Sequence, residues 1–236
     1  MNINPLYLLP NLFTAGSIFL GIVSIVFASK GNFEFACWLI LVSMILDGLD
    51  GRVARLTNTS SKFGVEFDSL ADVVAFGVAP AILLYFYTGC SYGKYGVVVS
   101  AMFVIFGAIR LARFNVGVAN TEPGSFVGLP IPSAAAMVVL WILIDLKYMI
   151  LKDLELGYLL LLLAFIVGIL MVSHIRYPSF KKMKWNLKTF VLILIVLSGA
   201  YLKPQEVIGG LMTAYVLYGL IRGIFVIFGK IYFKKI

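Results

Sequence analysis

The sequence predicts an all-α integral membrane protein of about eight transmembrane helices, and three observations carry that prediction. Of its 236 residues, 61% are hydrophobic and 13% charged, where an average soluble domain is about 45–50% apolar and about 25% charged. Mean hydropathy is +1.02. The apolar residues gather in long continuous runs, not in the short alternating segments of a transmembrane β-barrel.

A crossing helix needs roughly 20 apolar residues, and eight stretches fit, with edges good to a few residues. The first, about 12–29, follows an interfacial lead-in marked by Pro5 and Pro10 and stops at Lys30-Gly31-Asn32. No Lys or Arg precedes it, so it lacks the positive start of a secretory signal and reads as a retained span. The second, 34–56, ends at Asn58-Thr59-Ser60-Ser61, and the third, 64–88, at the turn from Gly89 to Gly93. The fourth, 95–116, runs into the Gly117–Gly128 stretch, and the fifth, 130–149, ends before Lys152-Asp153. The sixth, 157–175, stops before Tyr177–Lys184; the seventh, 187–202, at Lys203-Pro204; the eighth spans 206–228. No repeat, low-complexity tract or soluble domain interrupts them, so residues 1–236 read as one membrane domain.

Charge placement agrees with that count. With both termini inside, fourteen of the 19 Lys and Arg fall on the cytoplasmic side, among them Lys181, Lys182, Lys184, Lys188, Lys230, Lys234 and Lys235. Lys30, Lys94, Lys147, Lys152 and Lys203 fall on the other, as the positive-inside rule requires. The net charge of +8 sits between apolar runs, where it serves topology and lipid headgroups, which argues against nucleic acid as a partner. Cys37 and Cys90 form no C-x-x-C and no disulfide framework, and read as free thiols. His174 is the sole histidine, which excludes the usual His/Cys zinc site. Trp38, Trp141 and Trp185 fit interfacial or packing roles.

The chemistry lies in four aspartates within apolar stretches: Asp47, Asp50, Asp68 and Asp72. A carboxylate in a hydrocarbon layer is costly and needs a partner or a task. On a helix turning about 100° per residue, Asp47, Asp50, Gly51, Ala54 and Arg55 share an arc of roughly 140°, and Gly64, Asp68 and Asp72 one of roughly 80°. The short connection makes the two helices antiparallel neighbours, so the acidic faces can oppose at the cytoplasmic ends of both spans. All-oxygen ligands suit a hard cation such as Mg²⁺, Mn²⁺ or Ca²⁺, and two ions would form a clamp for phosphoryl transfer. Gly48, Gly51, Ala54 and Gly64 leave room for packing or for a ligand, and Arg52 and Arg55 are cations for a diphosphate. Ion pairing with Arg52, Arg55 and Lys62 is the plain structural alternative for any one aspartate, and a cation or proton pathway the functional one. Confinement of the acids to two neighbouring spans at one face weighs against the pathway.

Residues 47 to 72 read D-x-x-D-G-x-x-A-R-x₈-G-x₃-D-x₃-D, which resembles the signature of the CDP-alcohol phosphatidyltransferase family at every fixed position. The resemblance implies a six-helix membrane core, about residues 10–180, with two added C-terminal helices at about 187–228. It further implies a homodimer, and transfer of a phosphatidyl-type group from a CDP-linked donor to an alcohol with release of CMP. By the same resemblance Asp47, Asp50, Asp68 and Asp72 are the metal ligands, with Asp72 also the general base for the acceptor hydroxyl. Gly51, Ala54, Arg55 and Gly64 form the CDP-binding face. Pro10-Asn11-x-x-Thr14 resembles the family's N-terminal P-N-x-x-T, which adds Asn11 and Thr14 to that face; a helix cap is the alternative.

Three further segments resemble motifs of the phosphatidylserine synthase branch: Arg110-Leu111-Ala112-Arg113-Phe114-Asn115, Gly128 to Ala135, and Ile175 to Phe180. Arg110 and Arg113 share a helix face, and arginine suits bidentate recognition of a carboxylate, so one meets the donor diphosphate and the other serine, unless both are topology charges. Asn115 either binds serine or caps its helix. Arg176 reads as a headgroup contact. The expected reaction is CDP-diacylglycerol plus L-serine giving phosphatidylserine and CMP, by metal-assisted direct displacement. The alternatives are another acceptor, glycerol-3-phosphate or inositol phosphate, and a cation-coupled transporter. The expected location is the cell membrane, with both termini and the active site on the cytoplasmic side and membrane lipid as surroundings.

Overall fold

The computed structural model describes residues 8–59, 61–117, 125–178 and 187–233. Pro5, Ser60, Ser179, Phe180, Lys181, Lys182, Lys184, Trp185, Lys234 and Lys235, named above, lie outside them. Helix α1 (Leu8–Ser29) is followed by α2 (Phe33–Leu56), α3 (Lys62–Asp72) and α4 (Ala79–Tyr87), the last two joined through a π-helical segment, Val73–Val78. A 3₁₀ turn, Gly89–Tyr92, leads to α5 (Lys94–Gly117); then come β1 (Ser125–Val127), α6 (Ile131–Tyr148), the short α7 (Ile150–Asp153) and α8 (Tyr158–Val172). The chain continues with β2 (Arg176–Pro178), α9 (Leu187–Leu202) and α10 (Pro204–Phe233). The helices fall on the expected stretches, and among the described residues four are long and apolar enough to cross a membrane: α1, Lys62–Tyr87, α5 and α6. Helix α2 matches them in length but carries Glu34, Asp47, Asp50, Arg52 and Arg55.

The first helix shows what kind of surface the molecule presents. Its buried residues, Pro10, Thr14, Ser17, Gly21, Ser24 and Ala28, recur every three or four positions and are all small. Leu12, Phe19, Ile22 and Val26 point outward. Small and hydroxylated residues inside with bulky apolar ones outside is the arrangement of helices packed in lipid. The Ser17 and Ser43 hydroxyls meet at 2.8 Å and the Ser24 hydroxyl donates to the Ala36 carbonyl at 2.8 Å, binding α1 to α2.

The α2–α3 hairpin sets the acidic faces opposite one another. Asn58 turns the chain with φ +52°, and Ser61 caps α3 by accepting the Gly64 amide at 3.0 Å. The third expected span is not one regular helix. Pro80 has no N–H to close on the Phe76 carbonyl and its ring crowds it, and the widened π turn just upstream accommodates both.

At the centre stands α6, whose residues from Ala134 to Leu140 are all buried and which packs against α2, α4, α8 and α10. The all-α expectation needs one addition: β1 and β2 pair antiparallel, with Phe126 opposite Tyr177 and Val127 opposite Arg176. Gly128 follows with φ +78°, and a Cβ there would lie 2.2 Å from the Met171 carbonyl oxygen, so only glycine fits. Its amide donates to Ile175 O at 2.8 Å and the Leu129 amide to Leu170 O at 3.0 Å, stitching this loop to the end of α8. The Tyr177 ring, fully buried, rests against Gly219 of α10, where a Cβ would sit 2.0 Å from the ring.

Candidate active site

The hairpin brings the acidic residues together at one end of the bundle. One carboxylate oxygen from each of Asp47, Asp50 and Asp68 lies within 4.8 Å of the others. Asp72, one turn beyond Asp68 and 8% exposed, interacts directly with Asp47 and Asp68. At an effective dielectric of about 20, two unit charges that far apart repel by about 3–4 kcal/mol, so the cluster calls for a cation. Asp68 Oδ1 and Asp72 Oδ1 are buried and without a hydrogen-bond partner among the described residues. Converging carboxylates with vacant lone pairs are the donor set of a hard divalent ion, and the residues fit one.

Asp50 is held differently. Its Oδ2 accepts the Thr14 hydroxyl at 2.7 Å, across the α1–α2 interface. Thr14 also donates to the Pro10 carbonyl at 3.2 Å, so the start of α1 and the acidic cluster are linked through one hydroxyl.

Beside the carboxylates opens a cavity of about 200 Å³. Asn11, Thr14, Gly51, Ala54, Arg55 and Gly64, the whole nucleotide face expected from the sequence, line it together with Asp50 and Asp68. Gly64 sits where a Cβ would lie 3.2 Å from Ser61 Oγ and 3.6 Å from Asn11 Oδ1, so the glycine keeps this floor open. Thr59 and Ser61 also line the cavity and were missed in the sequence; a serine three residues before Gly64 at a helix start is a cap signal that could have found one of them.

The three acceptor candidates on α5 part company. Arg110 is 9% exposed, attracted electrostatically by Asp72, with its guanidinium 5.5 Å from the centroid of the Phe114 ring. Tyr215 of α10 shares that surrounding, a contact no local sequence signal announces. Arg113 is exposed and donates to the carbonyl of Val172, the last residue of α8. The Asn115 amide donates to Ser69 Oγ at 3.1 Å and Glu66 Oε2 at 3.3 Å, tying α5 to α3. Arg110 is thus the basic residue of the three that faces the carboxylates.

Comparison with known proteins follows the same lines. The chain matches the CDP-alcohol phosphatidyltransferase family over residues 7–170. It is 60% identical, over all of its length and 98% of the relative, to a CDP-diacylglycerol–serine O-phosphatidyltransferase of Helicobacter pylori strain J99. A protein of that name from Methanocaldococcus jannaschii is 38% identical over 78% of this chain and 82% of its own. An archaetidylserine synthase of Methanothermobacter thermautotrophicus is 37% identical over 72% of this chain and 69% of its own.

Proposed function

Because the chain belongs to the CDP-alcohol phosphatidyltransferase family, we propose that it transfers the phosphatidyl group of CDP-diacylglycerol to the hydroxyl of L-serine, giving phosphatidylserine and CMP. The observation that carries this reading is convergence. Six residues from three helices line one cavity whose wall continues into the carboxylate cluster. The likeness to the Helicobacter pylori serine transferase along the full length supports serine as the acceptor.

In this reading Asp47, Asp50, Asp68 and Asp72 hold divalent metal, Mg²⁺ or Mn²⁺, which when bound neutralises the donor diphosphate and the charge developing on it. Asn11, Gly51, Ala54 and Gly64 receive the cytidine nucleotide in the cavity, and Arg55 on its rim pairs with phosphate oxygens. Thr14 keeps the Asp50 carboxylate in orientation through its hydroxyl. Arg110, buried beside Asp72, pairs with the serine carboxylate and so presents the serine hydroxyl to Asp72. The free Oδ1 of Asp72 takes the hydroxyl proton as that oxygen bonds to the lipid-side phosphorus. The bond from that phosphorus to the bridging oxygen breaks, and CMP leaves with the electron pair. Arg113 and Asn115, bonded to Val172 and α3, position α5 around the acceptor.

The chain crosses the membrane eight times in this account, with the site and both termini in the cytoplasm, and works as a homodimer. The unequal distribution of Lys and Arg supports the sidedness. The test is an acceptor series with purified protein and CDP-diacylglycerol, read as CMP release. Serine should support turnover, and a chelator should stop it until Mg²⁺ or Mn²⁺ is restored. Turnover with glycerol-3-phosphate or inositol phosphate in place of serine would overturn the assignment of the acceptor.

A further inference from the structure

At the far ends of the helices that hold the carboxylates lies a second, larger cavity that the transfer reaction does not use. Its volume is about 600 Å³, and Phe33, Tyr87, Tyr92, Asp145 and Glu155 supply its aromatic and acidic wall. Phe33 opens the helix that carries Asp47 fourteen residues later, so at 1.5 Å per residue the two sites stand roughly 21 Å apart along α2.

Asp145 is the informative residue. It is 4% exposed. Its Oδ2 accepts the Tyr87 hydroxyl at 2.6 Å and its Oδ1 the Leu151 amide at 2.7 Å, which fixes the carboxylate in place. Among the described residues no ion pair reaches it, and none of the residues lining the cavity is basic. A carboxylate buried in a membrane protein wants a counter-charge, and here the protein leaves space for one. Phe33 and Tyr87 meet edge to face with centroids 5.2 Å apart. Aromatic walls around an acid are the setting that attracts an ammonium group.

A second observation says what carries that ammonium. Tyr92 also lines an adjoining groove of about 370 Å³, which runs between α5 and α8 past Tyr95, Val99, Leu162 and Phe165. That groove is apolar and outward-facing, with Tyr95 80% and Leu162 50% exposed. We propose that cavity and groove together bind an aminophospholipid, its ammonium against Asp145 and one acyl chain between α5 and α8.

The experiment uses full-length protein, stripped of lipid in detergent. It is titrated with phosphatidylethanolamine, with phosphatidylglycerol of the same chains, and with free ethanolamine, and bound ligand is counted by native mass spectrometry. Phosphatidylethanolamine should be retained at least tenfold better than phosphatidylglycerol, and free ethanolamine should not be retained. Asp145→Asn should abolish the preference, and Leu162→Trp, which fills the groove, should lower retention with Asp145 intact; both should release CMP at the parent rate. Equal retention of the two lipids by the parent protein, or undiminished retention in Leu162→Trp, would overturn the proposal. So would saturation by free ethanolamine, which would make the occupant a soluble amine. Leu162→Trp and the parent comparison decide the matter even if Asp145→Asn fails to fold.

Discussion

Asp50 and Asp72 are chemically identical side chains placed for different work. Asp50 has an oxygen occupied by the Thr14 hydroxyl at 2.7 Å, which suits a ligand that must not move. Asp72 keeps an oxygen without a hydrogen-bond partner among the described residues and has Arg110 as its nearby attraction, which suits a group that must accept a proton. Asp72→Asn should therefore lower CMP release by about 10²–10⁴-fold, while the variant still elutes as folded protein and still binds the CDP-lipid. Full turnover in a folded Asp72→Asn protein would remove it from the base role. Thr14→Val should act through the metal instead. Loss of one supporting hydrogen bond to a ligand costs about 10–100-fold in metal affinity, so the Mn²⁺ activation curve should shift to higher concentration with the plateau largely regained. The four aspartates and the small residues beside them were legible in the sequence because one helical period puts them on one face. The link from Thr14 to Asp50 was not, since it joins side chains 36 positions apart and depends on how α1 lies across α2.

At the scale of elements the π turn after Asp72 is the feature with a consequence for activity. It adds a residue to the helix between the carboxylates and α4, and so sets the rotation of Asp68 and Asp72 relative to the core. Pro80→Ala returns an N–H to the helix and favours closing the turn to α geometry, a change of about 100° in register. We expect CMP release to fall at least tenfold while the thermal midpoint holds or rises, both measured on detergent-solubilised protein; unchanged activity would show that the bulge plays no part in aiming the carboxylates. Pro80, inside the third expected span, carried the only local trace of this turn and went unread, because hydropathy passes over a single proline within an apolar run. The β1–β2 ribbon had no signal at all. Each strand is three residues long, too short for alternation to register, and its partner lies about fifty positions away.

For the whole molecule, sidedness is open to a direct test with the cysteines already present. Cys90 is exposed in the turn between α4 and α5, and Cys37 is buried. With the carboxylates facing the cytoplasm, a membrane-impermeant maleimide added to intact cells should label Cys90 and leave Cys37 untouched. Labelling of Cys90 only after permeabilisation would invert the orientation. The helix order and approximate bounds were readable from hydropathy, because lipid asks every span for the same length. What hydropathy left out is which helix lies in the middle. Helix α6 has no distinction by composition alone, yet from Ala134 to Leu140 it is buried on every face. The loop ahead of it is fastened at Leu129 to the last turn of α8 and at Gly128 to Ile175 just beyond it, and the Arg113 side chain reaches that same turn from α5. Three segments distant in the chain are thus locked together before any amino acid arrives. A junction ordered in advance has no disorder left to lose on capture, so, if the proposed acceptor pocket borders it, discrimination among alcohols should reside in a rigid outline instead of in a gate that closes behind them.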